Sequence, residues 1–189
     1  LTLFNDNIYF FSYTENSVIL WSYDETNGFV QKHEFTESGG VGVLSTASLK
    51  VYAGKLYFFD IDDEHGTQLW SYDKDNGVLR VSDLTSDVLD YMDYVTVAGD
   101  NLYFLASNNG SNFDLYSYND DTGIVTKEAA IMDSSSPELI VYNETLFFEV
   151  YDSFSFDSEF ASFDRSNGMS YIKEKDNIRH FTVYNDLLY

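Results

Sequence analysis

Short apolar runs separated by polar turns recur along the whole chain. Ile8-Tyr9-Phe10-Phe11 and Leu56-Tyr57-Phe58-Phe59 are unbroken apolar tetrads, and each is followed by a second run, Ile19-Leu20-Trp21-Ser22-Tyr23-Asp24 or Gln68-Leu69-Trp70-Ser71-Tyr72-Asp73. Runs this short, rich in aromatic residues and bounded by Gly, Asn and Asp, read as β-strands. A half-solvated antiparallel sheet would place a polar residue at every second position. The tetrads have none, so both faces of these sheets must be covered.

The pattern repeats in phase. The second-strand aromatic falls at Tyr9, Tyr57, Tyr103, Phe147 and Tyr189, at intervals of 48, 46, 44 and 42 residues. Six residues earlier lies an aliphatic: Leu3, Val51, Val97, Val141 or Val183. The third strand carries Trp21, Trp70, Tyr116 or Ala161, and two residues on Tyr23, Tyr72, Tyr118 or Phe163. The turn that follows ends at Gly28, Gly77, Gly123 or Gly168. Within the second copy the strands are expected at 49–52, 56–59, 68–73 and 78–82. Ala53-Gly54-Lys55 and Gly99-Asp100-Asn101 read as hairpin connections. The Asp-x-x-Asn-Gly turn combines a side chain that bonds amides ahead of it with a glycine that accepts positive φ.

Units of this length that cannot bury their own apolar faces must stack on one another. Four-stranded units of about 40–50 residues, each flanked by its neighbours, describe the blades of a β-propeller. The expectation is an all-β chain forming one propeller domain or segment over residues 1–189. Its repeats fall at 1–47, 48–93, 94–137 and 138–179, and 180–189 supply the first two strands of a fifth blade, which makes the chain part of a larger ring. No helix of useful length is expected beyond a single turn within 83–93.

Composition narrows the function. The chain is 44% hydrophobic and 18% aromatic, enough for a large core. Acidic residues outnumber basic ones 32 to 10, a net charge of −22. Nucleic acid is therefore excluded as an expected partner, because phosphate binding needs a basic surface. No apolar run is long enough to insert in a membrane. The absence of cysteine removes disulfides, thiolate metal sites and cysteine catalysis.

At Gln68-Leu69-Trp70-Ser71-Tyr72-Asp73 and Ile19-Leu20-Trp21-Ser22-Tyr23-Asp24 the chain resembles the ELWxxDGT repeat, related to hyalin-type repeats, of large bacterial surface and secreted proteins. Units of that family often open on a strand like Leu56-Tyr57-Phe58-Phe59, and here Asp-Lys-Asp-Asn-Gly stands where the family has Asp-Gly-Thr. The resemblance implies a secreted or cell-surface propeller-like module with no catalytic residues to carry over.

Candidate chemistry is sparse. Asp60, Asp62, Asp63 and Glu64 cluster in the connection between the second and third strands of the second copy, and oxygen ligands at such spacing suit Ca²⁺. His33, His65 and His180 fall at unrelated phases of the repeat and do not form a metal triad. Asp157, Glu159 and Asp164 beside Arg165 are the one grouping that a glycosidase could use. The turns joining strands one to two and three to four are nearly uniform between copies. The other connections vary, and in a four-stranded meander they share the opposite end of the sheet. Recognition residues concentrate on variable loops held by a rigid scaffold. The expected site is that end, with Tyr91, Tyr151, Phe154 and Phe156 as aromatic contacts for a protein or glycan ligand. The expected role is binding, adhesion or scaffolding without catalysis. The alternatives are a propeller enzyme acting on glycans or peptides, and a subunit that self-associates through its sheet edges.

Overall fold

The computed structural model describes the chain apart from residues 16, 37–48, 63–65, 85–90, 109–111, 132–138, 153–156, 173–181, 185, 186 and 189. Every described element is a strand. The first sheet contains β1 (Thr2–Phe4), β2 (Asn7–Tyr13), β3 (Ser17–Asp24) and β4 (Gly28–Thr36). The second contains β5 (Lys50–Tyr52), β6 (Lys55–Asp62), β7 (Gly66–Asp73) and β8 (Gly77–Arg80). The third contains β9 (Tyr91–Ala98), β10 (Asn101–Ser107), β11 (Phe113–Asn119) and β12 (Ile124–Ile131). The fourth contains β13 (Ile140–Tyr142), β14 (Thr145–Asp152), β15 (Asp157–Asp164) and β16 (Gly168–Ile172). Each sheet is an antiparallel meander in chain order, and β17 (Val183–Tyr184) pairs with β18 (Leu187–Leu188) as a further hairpin. The four blades and the opening hairpin of a fifth are those the repeat predicts.

The uniform turns follow from their residues. The first hairpin turn of three sheets is a two-residue loop with positive φ at both positions: Asn5 and Asp6 (48° and 60°), Ala53 and Gly54 (46° and 74°), Asn143 and Glu144 (48° and 61°). Such turns match the right-handed twist of the strands they join. The second turn is built on a carboxylate. Asp73 Oδ1 accepts the backbone N–H of Asp75 and of Asn76, both at 2.8 Å, while Asn76 Nδ2 donates to both carboxylate oxygens. Gly77 then turns the chain at φ 74°, where a Cβ would be strained. Asp24 with Asn27 and Asp164 with Asn167 repeat this clasp. In the third sheet Asn119 replaces the Asp and bonds the N–H and hydroxyl of Thr122.

The chain divides into two compact units, Leu1–Leu89 and Asp90–Tyr189. In the first, Tyr9, Val18, Leu20 and Phe35 of the first sheet pack on Leu56, Phe58 and Tyr72 of the second. Tyr9 and Tyr72 meet at 5.6 Å, Phe11 and Phe58 at 5.4 Å, Phe35 and Phe58 at 5.7 Å between ring centroids. In the second unit, Tyr103, Leu105, Phe113 and Leu115 of the third sheet pack on Leu146, Phe148, Ala161 and Phe163 of the fourth. Tyr103 meets Phe163 at 6.0 Å, the counterpart of the Tyr9–Tyr72 contact. Successive residues of a strand point to opposite faces. Tyr9 and Phe11 therefore lie on the face of the first sheet that packs on Leu56 and Phe58 of the second.

Two details differ from the sequence expectation. The central strands extend further toward the variable connections: β6 runs to Asp62 and β7 starts at Gly66, so Asp60 and Asp62 lie in a strand and not in a loop. Ladder pairing of Asp60 with Gln68 and of Asp62 with Gly66 continues beyond the apolar run that signalled the strand. Similarly β9 begins at Tyr91, inside the stretch read as the end of the second repeat and as a helical turn. Its extra length includes a bulge, where the register shifts opposite Phe104 and Tyr94 takes φ 57°.

Candidate functional site

The expected site residues are distributed as follows. Tyr91 opens β9, pairs with Ser107 at the far end of β10 and is 48% exposed. Tyr151 lies in β14 opposite Ser158 of β15. Both stand at the end of their sheets that carries the variable connections. Phe154 and Phe156 lie outside the described residues. Of the proposed Ca²⁺ ligands, Asp60 is in β6 and only 3% exposed, and its carbonyl accepts the Trp70 indole N–H at 3.3 Å. Asp62 is in the same strand, while Asp63 and Glu64 lie outside the described residues. Among the described residues no three His, Asp or Glu side chains converge to hold a metal ion.

Of the carboxylates weighed as a glycosidase pair, Asp164 stands apart from Glu159. Asp157 opens β15 and Asp164 closes it. Glu159 and Asp164 are five residues apart along this strand, roughly 17 Å at the usual strand rise. A retaining or inverting pair needs about 5–10 Å. Asp164 is moreover held in its own turn: the Asn167 side-chain bond, then the Asn167 and Ser166 backbone bonds, keep its carboxyl below the ordinary carboxylate pKa.

A recess does form, at the opposite end of the second unit. The β9–β10, β13–β14 and β15–β16 turns enclose a cavity of about 610 Å³ lined by polar groups, among them Asp100, Asn101, Asn119, Glu144, Asp164 and Arg165. Arg165 Nη1 donates to Asn101 Oδ1 at 3.1 Å, and Asn119 Nδ2 donates to the Asp100 carbonyl at 2.8 Å. Tyr103 forms part of the lining. Burial raises its phenol pKa and Glu128 adds to the shift, while Arg165 and the Asn101 bond oppose it. The volume is within the usual range for a small-molecule site, but the walls are polar turns and not apolar side chains. Such a wall can hydrogen-bond a hydrated polar molecule. The repeat gave no signal for this recess. Arg165 occupies a turn position filled elsewhere by Glu25, Lys74 and Asp120, and its partner Asn101 is 64 residues away.

No family model matches the chain, and no curated protein is similar to it in sequence. Among solved structures it is similar to TolB from Acinetobacter baumannii, with a TM-score of 0.57 and 15% identity over 88% of this chain. The match covers 40% of that protein, so the chain spans less than half its length. At this identity the likeness concerns the fold. With the four meander sheets it defines the protein as a β-propeller.

Proposed function

We propose that the chain is a recognition and scaffolding module of a secreted or cell-surface protein, binding a protein or glycan through the end of its blades that carries the variable connections. The observation that supports this most is the contrast between the two ends. At one end the turns are short, and those between the third and fourth strands are fixed by their own side chains, as in the Asp73–Asn76 clasp. At the other, chemically dissimilar connections of differing length leave the same rigid sheets, and Tyr91 is presented at 48% exposure. Aromatic side chains on a rigid support suit both protein and saccharide surfaces, since they bury much area at little entropic cost. The repeat resemblance to bacterial surface proteins points the same way.

The test is binding of the purified chain to arrayed glycans and extracellular proteins, with Tyr91→Ala and Tyr151→Ala measured in parallel. The reading expects at least one saturable partner whose affinity falls about tenfold or more in a variant that keeps its melting temperature. If both variants bind every partner as the wild type does, recognition does not use this end. The polar recess supports a second reading, a site for a small uncharged polar ligand. That reading expects Arg165→Ala, and neither tyrosine variant, to abolish binding.

A further inference from the structure

The polar recess of the second unit stands where the two units differ in one hydroxyl. In the first unit the Tyr9 hydroxyl is hydrogen-bonded to that of Tyr72. In the second unit the Tyr72 position holds Phe163, which has no hydroxyl, and Tyr103 is bonded to the Asn101 side chain. Asn101 extends the network, since its Oδ1 accepts Arg165 Nη1 at 3.1 Å. Phenol, carboxamide and guanidinium therefore stand in series along the lining. Asn101 is only 5% exposed, so the middle member is held in place. Glu144 enters from the β13–β14 turn. Its carboxylate leans over Gly99, where an added Cβ would lie 3.9 Å from Oε2. Gly99 at φ 55° and Glu144 at φ 61° both belong to tight hairpin turns. Such a wall needs little ordering when a ligand arrives.

We propose that the recess binds a compound with adjacent hydroxyl groups, a monosaccharide or a cyclic polyol, held between Arg165 and Glu144. The proposal rests on reading the recess as a ligand site and adds the class of ligand. Charge decides between the classes. Both Asp164 oxygens are engaged by Asn167, so that carboxylate serves its own turn. Arg165 presents only donors, of which Asn101 takes one, and the Glu144 carboxylate presents only acceptors. A simple anion paired with Arg165 meets the carboxylates of Glu144 and Asp100 in the same recess. An ammonium group paired with Glu144 meets the guanidinium. A hydroxyl both donates and accepts. Two of them on neighbouring carbons can give a hydrogen to the carboxylate and take one from the guanidinium without adding charge. Hydrogen bonds with one ionised partner are the stronger kind, which suits a recess that stays open to water.

The test is titration of the isotope-labelled chain, followed by amide NMR shifts. The probes are glucose, galactose, mannose and myo-inositol, with acetamide as a neutral ligand without hydroxyls and methylammonium and phosphate as the two ions. At least one polyol is expected to saturate in the millimolar range or below, shifting the amides of Gly99, Asn101 and Glu144. Arg165→Ala and Glu144→Gln should each weaken it about tenfold or more, the scale of a lost hydrogen bond to a charged group. Tyr91→Ala should bind as the wild type does. Near-UV circular dichroism checks the fold of each variant, and Arg165→Lys, which keeps the charge but loses the planar fork, replaces Arg165→Ala if the latter is perturbed. Methyl glycosides separate two sources of the same chemistry: equal binding supports the end of a glycan, and binding of the free sugar alone supports a free saccharide. If acetamide or either ion saturates at these amides and no polyol does, the recess is a ligand site but the polyol class is overturned. If no probe shifts them, the recess reading falls as well. Unchanged polyol binding in Glu144→Gln overturns the two-sided hold.

Discussion

Asp73 uses both carboxylate oxygens on its own turn, and the same is true of Asp24 and Asp164. All three carboxyls are held below the ordinary range, first by the Asn side chain of the turn and then by backbone N–H groups. A carboxyl with a lower pKa folded than unfolded stabilises fully above its unfolded value near 4, and the contribution is lost as pH falls through the folded value. Tyr9 has the opposite sense. Burial, then the charge of Tyr72 and the hydrogen bond to it, push its phenol up to about 12. Its contribution is whole below the unfolded pKa near 10 and disappears as pH rises toward 12. Tyrosinate absorbance during alkaline titration should therefore show a late class of phenols that is diminished in Tyr9→Phe. The glycine that closes the clasp gives a further expectation. Gly77→Ala meets no atom within 4 Å yet requires a side chain at φ 74°. Denaturant unfolding should show a loss of about 1–2 kcal/mol from backbone strain alone.

Equivalent positions on different strands have different energetic weight. Phe148 is fully buried in the core between the third and fourth sheets, beside Ala161 where the other sheets have Trp or Tyr. Phe148→Ala should cost about 3–5 kcal/mol in chemical unfolding. Phe10→Ala, at the same place in the first sheet but half-buried, should cost distinctly less. The strands themselves were legible because aromatic tetrads and Asp-x-x-Asn-Gly turns mark their middles and one of their ends. Their other ends were not. Asp60, Asp62 and Thr67 are polar and read as loop, but ladder pairing carries β6 and β7 through them. Gln68 shows why polar residues fit there. Its Oε1 accepts the Ser82 hydroxyl at 2.7 Å and the Leu84 N–H at 3.2 Å, so the carbonyl oxygen of a fully buried amide is satisfied by the segment after β8.

For the molecule as a whole, a net charge of −22 is the dominant long-range term. Raising ionic strength from about 0.01 to 1 M shortens the screening length from about 30 to 3 Å. The melting temperature, followed by near-UV circular dichroism, should rise with salt as self-repulsion is screened. Architecture was readable at this scale because the apolar period fixes how many sheets must stack. The polar recess was not, because it is assembled from turns that each look like scaffold. Arg165 acquires meaning only when the β15–β16 turn is brought to Asn101 at the start of β10.

The Asp–Asn clasp also sets how the protein ages. Asn27, Asn76 and Asn167 each precede glycine, the dipeptide most prone to lose its side-chain ammonia through a cyclic imide. In the folded turn the Asn76 amide nitrogen is held 2.9 Å from one Asp73 oxygen and 3.1 Å from the other, which opposes ring closure. Once the ammonia is lost, the donor becomes a second carboxylate facing the first at that distance, and the turn is held by repelling charges. Peptide mapping of chain stored at mildly alkaline pH should find isoaspartate at these three turns slowly while folded and rapidly after denaturation. The third blade, with Thr122 before its glycine, carries no such clock in that turn.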